Sequence, residues 1–331
     1  MVHILATHQR MHSSAAIERS VKSKMGTHIL FLYGATVIIW GTTWLAIKFQ
    51  LGSVDPMISV LYRFIAAAVT LIFYCKLRRL NMRFRLRDHL FMALQGLVLF
   101  SVNYWLIYLA EVHVTSGLVA VIFSSIVFMN MVNGAVLLRS PIRSNVVLGA
   151  AIGIVGIVLV FWPQLAAFSL SDKTALGLLL SVLSTFMASL GNIISARHQQ
   201  NKLPVIQTNA YGMAYGAGII GVISIISGRS FSFEMSLSYL GSLFYLTLFG
   251  TVIAFGCYLK LIGTIGADRA AYATMLFPIV ALGISTVYEG YQWHTHNIIG
   301  LAIVLIGNWM VLNKKALGLK SLIDEDNCAT R

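Results

Sequence analysis

The sequence predicts an all-α integral membrane protein: ten transmembrane helices laid out as two inverted five-helix repeats. Three observations predict it. Hydrophobic residues make up 58% of the 331 and charged residues 11%, against about a quarter charged in a soluble domain, and the mean hydropathy is +0.80. Lysine and arginine concentrate in alternate segments between apolar runs. The chain also repeats itself. A shift of 153 places Ala120, Ile126 and Val127 on Ala273, Ile279 and Val280. A shift of 151 places Gly149, Ala151, Ile152, Gly156 and Val160 on Gly300, Ala302, Ile303, Gly307 and Val311. Identical residue types recur at every pair, with a two-residue gap in the loop between the two sets.

Ten apolar runs reach or approach the roughly 20 residues of a bilayer span: 29–47, 56–75, 89–110, 115–138, 145–162, 174–195, 204–226, 238–262, 270–288 and 297–312. They divide the chain into an N-terminal tail (1–27), a first repeat (28–163), a second repeat (174–313) and a C-terminal tail (314–331). The first 24 residues are polar and basic, without an apolar core of signal-peptide length. Met25 opens Met-Gly-Thr-His-Ile directly before the first span and is expected to be the native start; N-terminal sequencing of the native protein checks this. Pro56 and Pro204 open spans two and seven, where a missing N–H costs no hydrogen bond. Pro278 lies well inside span nine and is expected to bend it.

With the N-terminus inside, the cytoplasmic segments hold 19 lysines and arginines and the outer loops 3, Lys48, Lys173 and Arg229. That bias predicts both termini in the cytoplasm. It also accounts for the formal charge of +13 without nucleic acid. A repeat of five spans has an odd number, so the second copy must enter from the opposite side, which makes the repeat inverted. Inverted repeats provide two related conformations and a site near the midplane, which favours a carrier.

The same residues bear a family resemblance. Trp40-Gly41-Thr42-Thr43-Trp44 in span one, and Pro56 with Arg63-Phe64 in span two, are followed by Gly266-Ala267-Asp268-Arg269-Ala270-Ala271, Pro278 to Glu289, and Gly300 to Gly307. In this order the chain, over about residues 28–313, resembles the EamA family of the drug/metabolite transporter superfamily. The resemblance implies small-solute carriers, many of them exporters of amino acids or other metabolites. It implies a central cavity within spans one to four and six to nine, with spans five and ten outside. The first copy departs from the pattern: Ser125 stands where the second has Pro278, so span four need not bend as span nine does, and the counterpart of Glu289 is an apolar residue near Val136.

No motif reads as catalysis, no nucleotide-binding glycine loop occurs, and no cofactor or metal is expected. His294 and His296 read as loop residues, and Cys75 and Cys257 as small buried hydrophobes. Few ionisable residues lie within spans, so each carries weight. Arg63 is seven residues past Pro56, about 10 Å deep. It either faces the cavity to meet a carboxylate or phosphate, or bonds carbonyls between helices, or snorkels outward. Lys260 is read as snorkelling, or as a substrate or proton contact. Glu289 is read as an outer-surface cap, or as a proton-coupling group. Gln95, Asn103, Asn130, Asn133, Asn192, Asn209 and Asn308 are expected to face the bundle interior. The substrate-binding candidates are Trp40, Trp44, Arg63, Asn103, Tyr104, Asn192, Tyr211, Tyr258 and Tyr272. With no intramembrane acid, the set favours zwitterionic, neutral or anionic solutes over cations.

The reading is therefore a secondary exporter of a small metabolite, such as an amino acid, embedded in the inner or plasma membrane. Uptake of an organic solute and multidrug export are the alternatives within the class; a membrane enzyme or scaffold is the alternative outside it. Gly149, Gly153 and Gly156 form a small-residue face that suits internal packing or a homodimer.

Overall fold

A computed structural model describes residues 27–52, 54–114, 119, 122–142, 144–160, 162, 172–288 and 293–312. Among the described residues there is no strand. The main helices are α1 (Thr27–Lys48), α2 (Pro56–Leu77), α3 (Leu86–His113), α4 (Ile126–Leu138), α5 (Ser144–Val160), α6 (Asp172–Gln200), α7 (Val205–Ile226), α8 (Leu237–Ile265), α9 (Ala273–Tyr288) and α10 (Thr295–Leu312). A single helical turn, Ala267–Ala270, precedes α9. Six of these helices (α1, α2, α3, α6, α7 and α8) are long and apolar enough to cross a membrane, and α4, α5 and α10 are shorter apolar helices. The expectation for Met25, the tails and Glu289 all lie outside the described residues.

The burial pattern is that of a protein in lipid. Large apolar side chains stand bare on the outside, Leu77 at 69% and Ile226 at 80% exposure, while Gln95, Asn130 and Asn192 are sealed at 0%, 1% and 1%. Water would penalise both arrangements; hydrocarbon favours both.

Local chemistry sets the helix ends. Asp55 caps α2 by accepting from the Met57 N–H at 2.8 Å, with Pro56 in the first position. Pro204 is the N-cap residue of α7, at φ −75° and ψ 136°. Arg79, Arg139 and Lys202 follow α2, α4 and α6 with φ of 51°, 54° and 59°. The next N–H in each case closes back on the helix: Leu80 to Cys75 O at 2.9 Å, Ser140 to Gly134 O at 3.1 Å, Leu203 to His198 O at 2.9 Å. These are C-terminal caps built on basic residues instead of glycine, a position where positive charge meets the negative end of the helix dipole.

Span four differs from expectation. It is interrupted by a turn at Ser124–Ser125, where Ser125 N bonds Ile122 O at 3.0 Å, and α4 starts at Ile126. Serine hydroxyls compete with helix bonding, which suits two consecutive serines to such a break. In the second half the break falls at Ala271–Tyr272 and α9 runs on through Pro278.

Helices pack in recognisable pairs. α5 lies along α10, α2 along α7, α3 between α6 and α7, and α4 against α6. The α5–α10 contact is backbone on backbone. A methyl on Gly156 would come within 2.7 Å of Gly300 O, one on Gly300 within 2.6 Å of Gly156 O, and one on Gly307 within 2.7 Å of Gly149 O. The small-residue face of span five is thus consumed inside the chain. Gly96 of α3 and Gly216 of α7 meet equally closely, 2.8 Å in each direction. Both α3 and α8 contain a π-helical segment, Gly96–Val102 and Leu246–Ile253, so the irregularity recurs at the third span of each half.

Candidate functional site

A cavity lies among α1, α2, α3, α6, α8, the start of α4 and the start of α9. Seven of the nine candidate residues line it: Trp40 and Trp44 from α1, Arg63 from α2, Asn103 and Tyr104 from α3, Asn192 from α6 and Tyr258 from α8. The rest of the wall is aromatic and aliphatic, with Phe123, Phe255 and Phe277 among it. About 60 Å³ is open, room for a few waters and well short of the several hundred Å³ of a typical small-molecule site.

The α8 π-helix explains how the charged and indole groups are held. Its extra residue per turn lets Thr251 Oγ1 donate to Leu246 O, five residues back, at 2.8 Å. The same Oγ1 accepts from Arg63 Nε at 2.7 Å, and the neighbouring Gly250 carbonyl accepts from Trp40 Nε1 at 2.9 Å. Gly250 must lack a side chain, because a methyl there would stand 2.8 Å from Thr43 Cγ2 and 3.4 Å from Arg63 Nη2. Trp40 is packed edge-on to Phe255 at 4.9 Å and to Phe277 at 5.3 Å. One irregular turn of α8 thereby fixes two cavity residues on two other helices.

Arg63 is 1% exposed. Its partners are the Thr251 hydroxyl, the hydroxyls of Tyr104 and Tyr108, and the faces of Tyr104 and Phe64, whose centroids lie 4.7 and 5.7 Å from Cζ. None of these is anionic, and its Nη1 is buried without a hydrogen-bond partner. A buried guanidinium at the edge of a cavity is a group whose chemistry suits a carboxylate or phosphate oxygen.

Asn103 is spoken for within the protein, donating to Leu99 O at 3.2 Å and accepting from Ser184 Oγ at 2.8 Å. Asn192 donates to Tyr258 Oη at 3.3 Å and to Asn130 Oδ1 at 3.4 Å. Asn130 donates in turn to Ala267 O at 3.2 Å. This chain of polar groups joins α8, α6, α4 and the turn before α9. On its other side lies a second, polar cavity of about 430 Å³, bordered by Asn130, Gln199, Asp268 and Arg269. Asn192 borders the first space and Asn130 the second, so this chain lies in the wall between them.

Two candidates stand elsewhere. Tyr211, near the start of α7, donates to Met82 O at 2.9 Å and packs on His89 at 4.6 Å, among the residues of the basic loop after α2. Tyr272 is fully buried and donates to Val146 O of α5, tying the start of α9 to the outer helix pair. Lys260 is exposed on α8, and His294 and His296 stack on each other at 5.4 Å. Among the described residues no three His, Cys, Asp or Glu side chains gather as a metal set. Thr251, the Gly250 carbonyl and the wall role of Asn130 were not legible beforehand. An acid within a span also went unseen: α3 continues past residue 110, so Glu111 is inside a packed helix, although it is not part of the cavity wall.

A multi-pass helical membrane protein with a polar-studded aromatic cavity has the build of a transporter. Sequence comparison narrows this. The EamA-like transporter family matches residues 27–162 and 175–313, and the chain belongs to that family. YedA, an uncharacterized inner membrane transporter of Escherichia coli K12, is 28% identical over 288 residues, 84% of this chain and 91% of that one. Protein PagO of Salmonella typhimurium is 23% identical over 298 residues, 90% and 96% of the two chains. A Salmonella typhimurium protein named as a probable amino-acid metabolite efflux pump is 20% identical over 285 residues, 84% and 92%. One crystal structure shares the fold with a TM-score of 0.71 at 15% identity, covering 86% of this chain and 97% of that one.

Proposed function

We propose that the protein is a secondary carrier of the inner or plasma membrane that exports a small metabolite with a carboxylate or phosphate group, such as an amino acid. The solute binds in the central cavity between two inverted five-helix halves, and access alternates as the halves rock. Both termini are cytoplasmic, so the polar second cavity opens inward and the Lys48 end faces out. Trp40, Trp44, Tyr104 and Tyr258 supply the walls and Arg63 the charge. The partners are the solute and the bilayer.

Two packing facts support the inverted repeat. The alignment pairs Gly149 with Gly300 and Gly156 with Gly307, and that exchange converts the Gly156–Gly300 contact into the Gly307–Gly149 contact. Contacts that exchange in this way are what a twofold axis between α5 and α10 requires. The same two contacts run in opposite directions along the helices, so the counterpart helices are antiparallel, as inversion demands. Export is favoured by the efflux pump among the relatives.

One observation carries the solute class: Arg63 is a buried cation at the cavity, and none of its partners is an acid. The test is a melting screen of the purified protein against amino acids, nucleosides, sugar phosphates and amphipathic cations. A ligand selective for the folded state stabilises it by about 2.7 kcal/mol at a hundred times its Kd and so raises the melting temperature. The expected result is a saturable shift with anionic or zwitterionic compounds that disappears in Arg63→Ala. An equal shift in Arg63→Ala removes the arginine from the site.

A further inference from the structure

Glu111 is an acid that the cavity does not use. α3 presents Asn103, Tyr104 and Ile107 to the cavity. Residues four apart share a helix face, so Glu111 continues the stripe one turn beyond Ile107, about 6 Å further along α3. Both of its carboxyl oxygens are buried and neither has a hydrogen-bond partner. Tyr108, three residues earlier, is occupied with Gln50 Oε1 at 2.9 Å, and the Gln50 amide nitrogen is itself buried without a partner. An ionised carboxylate without hydrogen bonds in such a place is among the costliest arrangements in a protein, whereas the intact acid is neutral.

The charged and titratable groups around it are few. Lys48, at the end of α1, is the cation that acts on it. Its own helix contributes Tyr104, Tyr108 and His113. Of the helices packed on this part of α3, α2 contributes Arg63. α6 contributes Lys173 at its exposed start, Arg197 and His198 at its far end, and Asp172, whose side chain is not described. The π segment of α3 has none.

We propose that Glu111 carries the proton that drives the carrier, so that one solute leaves for each proton that enters. This rests on the carrier reading above. The acid takes its proton from water when the Lys48 end opens, and it is intact while its oxygens are buried, as they are here. When solute and water enter the cavity from the Asp268 side, the carboxyl O–H bond breaks and its electron pair stays on the oxygen. The proton passes to cavity water and leaves through the polar vestibule. Lys48 then balances the carboxylate.

The test has two arms. Infrared titration of the purified protein reads the carbonyl stretch of a protonated acid at neutral pH. It is expected in the wild type, shifted in Glu111→Asp and absent in Glu111→Gln; a band unchanged in Glu111→Gln overturns the assignment. Proteoliposomes are then given labelled L-amino acids, with and without a pH gradient. Wild type is expected to accumulate them at least tenfold with the gradient. Glu111→Gln is expected to lose that accumulation and keep equal-concentration exchange. Exchange by wild type that ignores the gradient overturns the proton role and leaves the carrier intact. If wild type moves no amino acid in either mode while the Glu111 band is present, the amino-acid reading of the substrate fails, not the acid.

Discussion

Substituting Gly300 by alanine is expected to destabilise the protein by about 2 kcal/mol, within the range of about 1–3 kcal/mol for overpacking. The added methyl would stand 2.6 Å from Gly156 O, 2.7 Å from Val160 N and 2.8 Å from Val160 Cγ2. The two nearest of these atoms are backbone, so no rotamer change relieves the clash and α5 and α10 must separate by roughly 0.7 Å. A gap of that size forfeits about a quarter to a half of each dispersion contact along the interface. The control is Gly256→Ala, in the helical part of α8 with nothing within 4 Å, which is expected to gain about 0.5–1 kcal/mol from reduced chain entropy. Unfolding in detergent, followed by tryptophan fluorescence, compares the two. Gly307→Ala, whose methyl would meet Gly149 O at 2.7 Å, should match Gly300→Ala. Gly156→Ala combined with Gly300→Ala should cost less than the sum, because one separation accommodates both methyls. A Gly300→Ala protein as stable as the Gly256→Ala control would refute the close-packed antiparallel pair.

Thr251→Val removes the hydroxyl that accepts from Arg63 Nε at 2.7 Å, leaving a buried donor unpaired. A loss of about 1–3 kcal/mol is expected, visible as a lower melting temperature, and Thr251→Ser should recover most of it. Tyr258→Phe removes the acceptor for Asn192 at 3.3 Å. It should cost only about 1 kcal/mol while speeding the labelling, by a thiol reagent from the vestibule side, of a cysteine introduced at Ala188. Asp55→Ala should cost about 1 kcal/mol through the lost cap of α2. Arg229→Ala, which breaks only the exposed 3.0 Å ion pair with Asp55, should cost under about 1 kcal/mol; equal losses in the two variants would contradict the capping role.

The spans were legible because lipid selects on composition alone, and Pro56 and Pro204 marked two helix starts because proline lacks an N–H wherever it sits. The small-residue face on Gly149, Gly153 and Gly156 was legible as a face, but its partner was not: sequence gives no reason to prefer α10 over a second copy. Direction within an apolar helix was the weakest inference. Tyr211 and Tyr272 lie in runs that are apolar nearly all round, so periodicity could not say that one points to the basic loop and the other to α5. The π segments left no trace either. A π turn shifts the register of every later side chain, so a 3.6-residue count through α8 cannot place Thr251 beside Arg63. Glu111 falls just past the apolar run, which ends at residue 110, whereas the helix, and the packing around it, continue to His113.

The distances divide the site into a fixed part and a part that can open at little cost. Arg63, Thr251, the Gly250 carbonyl and Trp40 are joined by bonds of 2.7–2.9 Å, and Gly250 leaves no slack for the backbone to move. The wall is different. Its bonds from Asn192 to Tyr258 and Asn130 are 3.3 and 3.4 Å, at or beyond the long end for N–H···O contacts. Each is worth about 1 kcal/mol or less when water can replace it. About 60 Å³ is open on one side and about 430 Å³ on the other, and on the proposed cycle a solute in the vestibule reaches Arg63 by parting that wall. On the proposed cycle the anionic group provides the reason: its attraction to the unpaired Arg63 Nη1 is gained only after Asn192 lets go of Tyr258. Binding and opening are then one event, and a neutral solute of the same size, which gains nothing at Arg63, should be admitted less readily.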